Sequence, residues 1–442
     1  MAEREKFGSI TVAIMAFAGS AIGLGNIWRF PYVTGENGGG LFVLLFCVFT
    51  LILAIPIFIA ESVIGRKSGA SCIGAVRKLT DKKFWRLFGM LSVITPVFIA
   101  GYYCVVGGWS LDFLIKSLAF SFSRTSPEEA GALFPAFMAS SWKPLVMFTG
   151  FLALTALIPA FGIKSGIELF NKISIPILFA VIVAVAIFSI SLPDAEKGAA
   201  YLLEPDWSKF SWRTCAAAAG QSFYSLSLGM GIIITYSSYV DRKEDLPVTA
   251  VGTAVAGLIF SLIAGLAILP AVFSAGISPS AGPGLIFETL PYIFSKMGAE
   301  QAWISSAVAI LFFLSVLVAA LTSSISLIEV GISYLIEEHG LSRIKACACC
   351  FAFCWVLGAV CIFDMDIFSI FDHFSSDFLI IINGLLGALF VGWVMKKSEV
   401  RDEITSSGTM PGAGKAFPFL YAAIRFFAPV LILLILLTGF IK

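Results

Sequence analysis

The chain has 442 residues, 59% of them hydrophobic and 13% charged, with a net charge of +1. That composition excludes a water-soluble globular domain, whose surface needs far more charge, and makes lipid the solvent. The net charge says nothing of partners; membrane lipid and a small molecule are expected, and no nucleic acid.

One crossing of the hydrocarbon needs about 20 apolar residues, and eleven such stretches recur along the chain. They fall near 8–32, 40–65, 86–119, 144–161, 168–191, 213–239, 246–276, 301–336, 343–362, 369–395 and 418–441. The first is too long for a cleavable signal and lacks a small-residue cleavage pattern, so it is expected to stay as span one. Most Lys and Arg lie in links on the side of the N-terminus, densest at Arg66, Lys67, Arg77, Lys78, Lys82, Lys83 and Arg86. The positive-inside rule makes that side cytoplasmic, and an odd number of spans leaves Lys442 outside.

No linker is long enough to separate two domains, so a single transmembrane domain over 1–442 is expected. The outer links at 120–143 and 192–212 carry Pro and aromatic residues suited to packed caps. Segment 277–300, with Ser278 to Gly284 and then a short apolar run, reads as a re-entrant lid. The nine cysteines sit almost all within apolar spans, which argues against extracellular disulfides. Cys347, Cys349, Cys350 and Cys354 lack His or carboxylate partners and read as small apolar packing rather than a metal cluster.

Spans one and six are both interrupted at mid-depth, at Ala18–Asn26 and Ser225–Gly231. Each glycine weakens a helix by about 1 kcal/mol, so several together make local unwinding cheap. Unwound backbone in hydrocarbon leaves amides and carbonyls that must find partners. Five spans separate the two breaks, the spacing of two five-span repeats of opposite topology around a midplane site.

The string Gly19 to Pro31 followed by Glu36 to Gly40 resembles the first-span signature of the neurotransmitter:sodium symporter family. Tyr102-Tyr103, Gln221 to Tyr239, Ala264 to Pro270 and Leu321 to Ser326 extend the likeness over essentially the whole chain. The resemblance implies an all-α polytopic membrane protein of the leucine-transporter fold, with 5+5 inverted repeats at about 8–191 and 213–395 and an extra helix at about 418–441. It also implies a bacterial inner-membrane amino-acid transporter coupled to sodium.

By the same resemblance, one sodium ion would meet the carbonyls of Gly19, Ile22 and Ala319 and the hydroxyls of Thr322 and Ser323. A hard cation needs only such neutral oxygens. A second ion would meet the Ala21 carbonyl, Asn26 and Ser225, but Gly257 stands where relatives carry a span-seven side chain, so one or two ions are expected. Phe46 replaces the tyrosine of chloride-dependent relatives, although Ser261 matches their serine; no chloride requirement is expected. An amino-acid carboxylate would sit against the amides near Gly23 and Gly25 with Tyr103. Its ammonium would meet the broken span six and Ser323, and its side chain would lie among Ile99, Tyr224, Ser227, Met230 and Leu327. Ala21 and Ser225 complete the expected contacts, and the apolar lining with a flexible Met favours a hydrophobic or aromatic substrate.

The resemblance further implies an outer gate of Arg29 with Asp372, or alternatively Asp377, over Tyr103 and Tyr224. It implies an inner latch of Arg4 with Glu337, aided by Ser238 and Tyr239, with Phe7 in place of the usual Trp. Glu61 would accept hydrogen bonds from the broken part of span one, and Gly166 with Pro176 would form the unwinding motif of span five. An enzyme is not expected, because the only histidines, His339 and His373, lie near span ends with no convergent nucleophile, base or metal set. A proton-coupled or exchange transporter of the same fold is the main alternative, with a channel behind it.

Overall fold

The computed structural model describes residues 7, 9–140, 142–279, 285–408 and 411–440. Among them the secondary structure is helical, apart from an isolated bridge between Gly39 and Pro205. Among the described residues eight helices are long and apolar enough to cross a membrane, or ten if each of two bent pairs counts once, against the eleven expected. The difference has a physical source in span six, whose halves, Trp212–Ser225 and Ile232–Ser237, are each shorter than a crossing requires.

Burial sorts the unbroken spans into two layers. In Gly40–Ser68, Lys83–Leu118, Leu246–Ser274 and Ala302–His339, 61–72% of the apolar window is buried; in Lys143–Ala160, Ile163–Ile190, Arg343–Phe363 and Gly414–Leu437 the share is 33–39%. The second group therefore forms the rim, presenting Leu157, Ile187, Val356 and Leu434 outward. Large apolar side chains on an outer face suit hydrocarbon and would be a liability in water.

The two predicted breaks are present inside the first layer. Ile10–Ala21 ends at Ile22, and the chain resumes at Gly25–Glu36 with its axis turned by 52°. In span six the residues between the half-helices include Ser227, Gly229 and Gly231, all left-handed, at φ of 54°, 68° and 64°. Gly229 and Gly231 also permit close approach, since a Cβ there would stand 1.9 Å from the Ile380 carbonyl oxygen and 2.1 Å from that of Ser92. Span five differs from expectation: beside Gly166 the chain is wound as a π-turn, Ile163–Glu168, which opens on left-handed Gly162 and continues into Leu169–Ile190 around Pro176.

Of the segment expected as a lid, 280–284 fall outside the described residues, and the parts on either side pack against neighbouring spans. Pro279 lies against Gly35, and Phe287 is buried among Trp109, Phe113 and Phe134. Ser305 donates to the carbonyl of Phe294, eleven residues earlier. In a straight helix those residues would be roughly 16 Å apart, so Thr289–His339 doubles back between them.

A buried ion pair ties span two to the amphipathic helix Lys397–Ile404, which turns 113° away from the end of span ten. Arg66 Nε donates to Glu403 at 2.9 Å, and its other nitrogens reach the carbonyls of Glu244 and Glu403. Removing the carboxylate strands a buried guanidinium, at a cost of about 3–5 kcal/mol. Glu403→Ala is therefore expected to lower the melting temperature in detergent markedly, and Glu403→Gln by less.

Candidate functional site

The site is built from backbone groups released by the two breaks. The Ser20 carbonyl accepts the hydroxyls of Ser227 and Ser323, each at 3.0 Å. The Ile22 carbonyl lies 3.3 Å from Thr322 Oγ1, and the Leu24 amide donates to the Tyr103 hydroxyl at 3.1 Å. Gln221 Nε2 donates to the Gly25 carbonyl at 2.8 Å. In span six, the Gly229 amide donates to Glu61 at 2.7 Å and its carbonyl accepts from Asn383 Nδ2 at 3.0 Å. These contacts satisfy groups that would each cost several kcal/mol if buried alone.

Between the breaks lies a cavity with about 310 Å³ of empty space. Ten of the eleven expected substrate contacts line it: Ala21, Gly23, Gly25, Ile99, Tyr103, Tyr224, Ser227, Met230, Ser323 and Leu327. Ser20 and Ile232 join them, whereas Ser225, the last residue of the first half of span six, is buried outside the lining. The lining joins the polar groups of Tyr103 and Ser323, which meet at Gly23 and Leu24, with the apolar side chains of Ile99, Met230, Ile232 and Leu327. Gly23 and Gly25 are required by space, since a Cβ at Gly23 would lie 1.9 Å from Ser323 Oγ and one at Gly25 2.6 Å from the Tyr224 ring.

At the stronger expected sodium site, Thr322 Oγ1 stands 3.0 Å from the Ala319 carbonyl and 3.3 Å from that of Ile22. The hydroxyl has a single proton for two carbonyls, so three oxygens converge on a point with little positive charge among them. Gly19 lies in the last turn before the break and Ser323 one residue beyond Thr322. At the second site, Asn26 is fully buried, its Nδ2 donates to the Gly257 carbonyl at 3.3 Å, and its Oδ1 has no hydrogen-bond partner among the described residues. A Cβ on Gly257 would sit in ordinary contact, 3.6 Å from Leu226, 3.8 Å from Ser225 Oγ and 3.9 Å from Asn26 Nδ2, so a side chain there would point among these groups. Ser261 donates to the Gly257 carbonyl at 2.9 Å, and Phe46 packs on Phe30 at 5.2 Å.

Arg29 lies over the Tyr224 ring at 5.0 Å and donates to Gln221 Oε1 at 2.8 Å. Asp372 is close enough to Tyr102 and Tyr224 to interact with both electrostatically. The Asp377 side chain and all of Arg4 fall outside the described residues. On the inner side, Glu337 accepts the Ser71 amide at 2.6 Å, and Ser238 donates to Thr235 in its own turn.

Two readings from sequence need correction. Glu61 was expected to accept from span one, yet its partner is the Gly229 amide of span six, and its second oxygen has no partner among the described residues. Tyr239 belongs to a network the sequence reading missed: its hydroxyl donates to Glu329 at 2.9 Å, and Glu329, fully buried in span eight, pairs with Arg343 at 2.6 Å. A carboxylate in the middle of an apolar span was the available signal. Gln221 was likewise legible as a polar residue in span six, while its bridging of Arg29 to the Gly25 carbonyl was not.

Comparison with known proteins agrees with this geometry. The sodium:neurotransmitter symporter family matches residues 4–129 and 140–442. The uncharacterized sodium-dependent transporter YhdH of Bacillus subtilis (strain 168) is 35% identical over 96% of this chain and 95% of its own. An uncharacterized sodium-dependent transporter of Haemophilus influenzae is 34% identical over 99% and 98%. The crystal structure of MhsT in complex with L-phenylalanine matches with a TM-score of 0.91 and 37% identity, covering 99% of this chain and 100% of that one. The fold is that of the leucine-transporter type, and family and fold are those of transporters, not enzymes. The chain belongs to the sodium:neurotransmitter symporter family, whose bacterial members include sodium-dependent transporters.

Proposed function

We propose that the protein imports a hydrophobic or aromatic amino acid, driven by sodium, by alternating access to the cavity between spans one and six. The observation that carries this reading is the cavity's mixed lining, which joins freed backbone groups and the hydroxyls of Tyr103 and Ser323 with the apolar side chains of Ile99, Met230, Ile232 and Leu327. A zwitterion with an apolar side chain matches both kinds of group. MhsT, crystallised with L-phenylalanine, is a neighbour whose ligand has that chemistry.

In this reading the amino-acid carboxylate lies against the amides near Gly23 and Gly25, with Tyr103. The ammonium meets span-six carbonyls and Ser323. Gly19, Ile22, Ala319, Thr322 and Ser323 hold a sodium ion, and Ala21, Asn26 and Ser225 hold a second ion only weakly, because Gly257 adds no ligand. No chloride is required. Arg29 and Asp372 close the outside, and the inner latch closes around Glu337. Spans one to five and six to ten act as inverted repeats in the bacterial cell membrane, with the N-terminus cytoplasmic and the C-terminus outside.

The test is binding of each of the twenty amino acids to purified protein in sodium and in potassium, followed by thermal shift. Stabilisation by hydrophobic or aromatic amino acids in sodium alone is expected; equal stabilisation in potassium would instead support a proton-coupled or exchange cycle. Each hydroxyl ligand to a charge is worth about 1.5–3 kcal/mol, so Thr322→Ala with Ser323→Ala is expected to weaken sodium-dependent binding roughly a hundredfold or more. Gly257→Asp, which adds a carboxylate at a position in contact with Asn26 and Ser225, is expected to lower the sodium concentration for half-maximal binding. No change there would remove the second ion from the scheme.

A further inference from the structure

Asn171 stands outside every role assigned so far. It lies in the first turn of Leu169–Ile190 and is 1% exposed, and among the described residues neither Oδ1 nor Nδ2 has a hydrogen-bond partner. A carboxamide buried with both ends unsatisfied costs several kcal/mol, and a leucine of similar volume would avoid that cost. The side chain is pressed against span one: a Cβ added to Gly19 would lie 2.3 Å from Asn171 Oδ1 and 2.7 Å from its carboxamide carbon. Only a glycine at 19 leaves the amide room.

The polar group is therefore held at the last turn before the break. Three residues further on, the Ile22 carbonyl converges with the Ala319 carbonyl on Thr322. These oxygens need positive charge, and an amide oxygen with no donor needs the same. We propose that Asn171 is a further ligand of the cation held at the break of span one, its Oδ1 reaching the ion directly or through one water. This rests on the sodium site proposed above and extends it from spans one and eight to span five.

The arrangement has a consequence for gating. Asn171 lies three residues after the end of the π-turn Ile163–Glu168, so a bound cation would hold this turn in place from span one. Loss of the ion would leave the carboxamide unpaired again and favour movement of the turn toward water. Span five then senses occupancy through a single side chain.

The experiment uses the full-length protein in detergent, with sodium titrated at saturating amino acid and with melting followed in sodium and in potassium. Asn171→Leu is expected to raise the half-maximal sodium concentration fivefold or more. It should leave melting in potassium equal or higher, since an unsatisfied group has been removed, and shrink the stabilisation that sodium provides. Asn171→Asp, which keeps the oxygen, is expected to retain sodium affinity at or above that of the unsubstituted chain. Unchanged sodium titrations in Asn171→Leu, beside a normal loss in Thr322→Ala with Ser323→Ala, would overturn this inference alone. Absence of any sodium response in the unsubstituted protein would overturn the sodium site with it.

Discussion

A peptide group released from a helix inside hydrocarbon has no water to turn to, and the architecture of this protein follows from that constraint. Spans one and six both release such groups at the same depth. Side chains from spans two, three, six, eight and ten are brought in to meet them: Glu61, Tyr103, Gln221, Ser323 and Asn383. The inner layer of spans is the scaffold that holds these partners in position, and the rim separates it from lipid. What the partners leave unsatisfied is the binding capacity of the site.

That capacity is already divided by chemistry. Around Thr322 the unsatisfied atoms are oxygens, which suit a cation without a buried carboxylate and its desolvation cost. Near Gly23 and Gly25 the chain offers amides at the start of a half-helix, which suit an anion. An amino acid and a sodium ion bring both charges at once, and each can stabilise the other's surroundings. The Ser20 carbonyl, by contrast, is already satisfied by the hydroxyls of Ser227 and Ser323.

Much of this was legible in the sequence because the breaks are written in local residues. Glycine runs and small polar residues mark Ile22–Leu24 and Leu226–Gly231 without tertiary information, and family likeness then carried ten cavity-lining positions into place. The span count was less legible, since a span cut into halves no longer has the length by which crossings are counted. The partner of Glu61 could not be read from sequence, because both broken spans pass the same depth and only packing decides which one offers its amide. Glu329 with Arg343, joined by Tyr239, and Asn171 against Gly19 are contacts between distant segments with no periodicity to announce them. The lone polar residues were visible; their partners were not.

The central claim is that the break in span one is kept open for an ion. Two density maps of the purified protein with amino acid, one in sodium and one in potassium, test it most directly. The account predicts density at coordination distance from the Ile22 and Ala319 carbonyls and Thr322 Oγ1 in sodium, lost in potassium. Identical maps, with Thr322 still bonded only to those carbonyls and no ion between the spans, would contradict it.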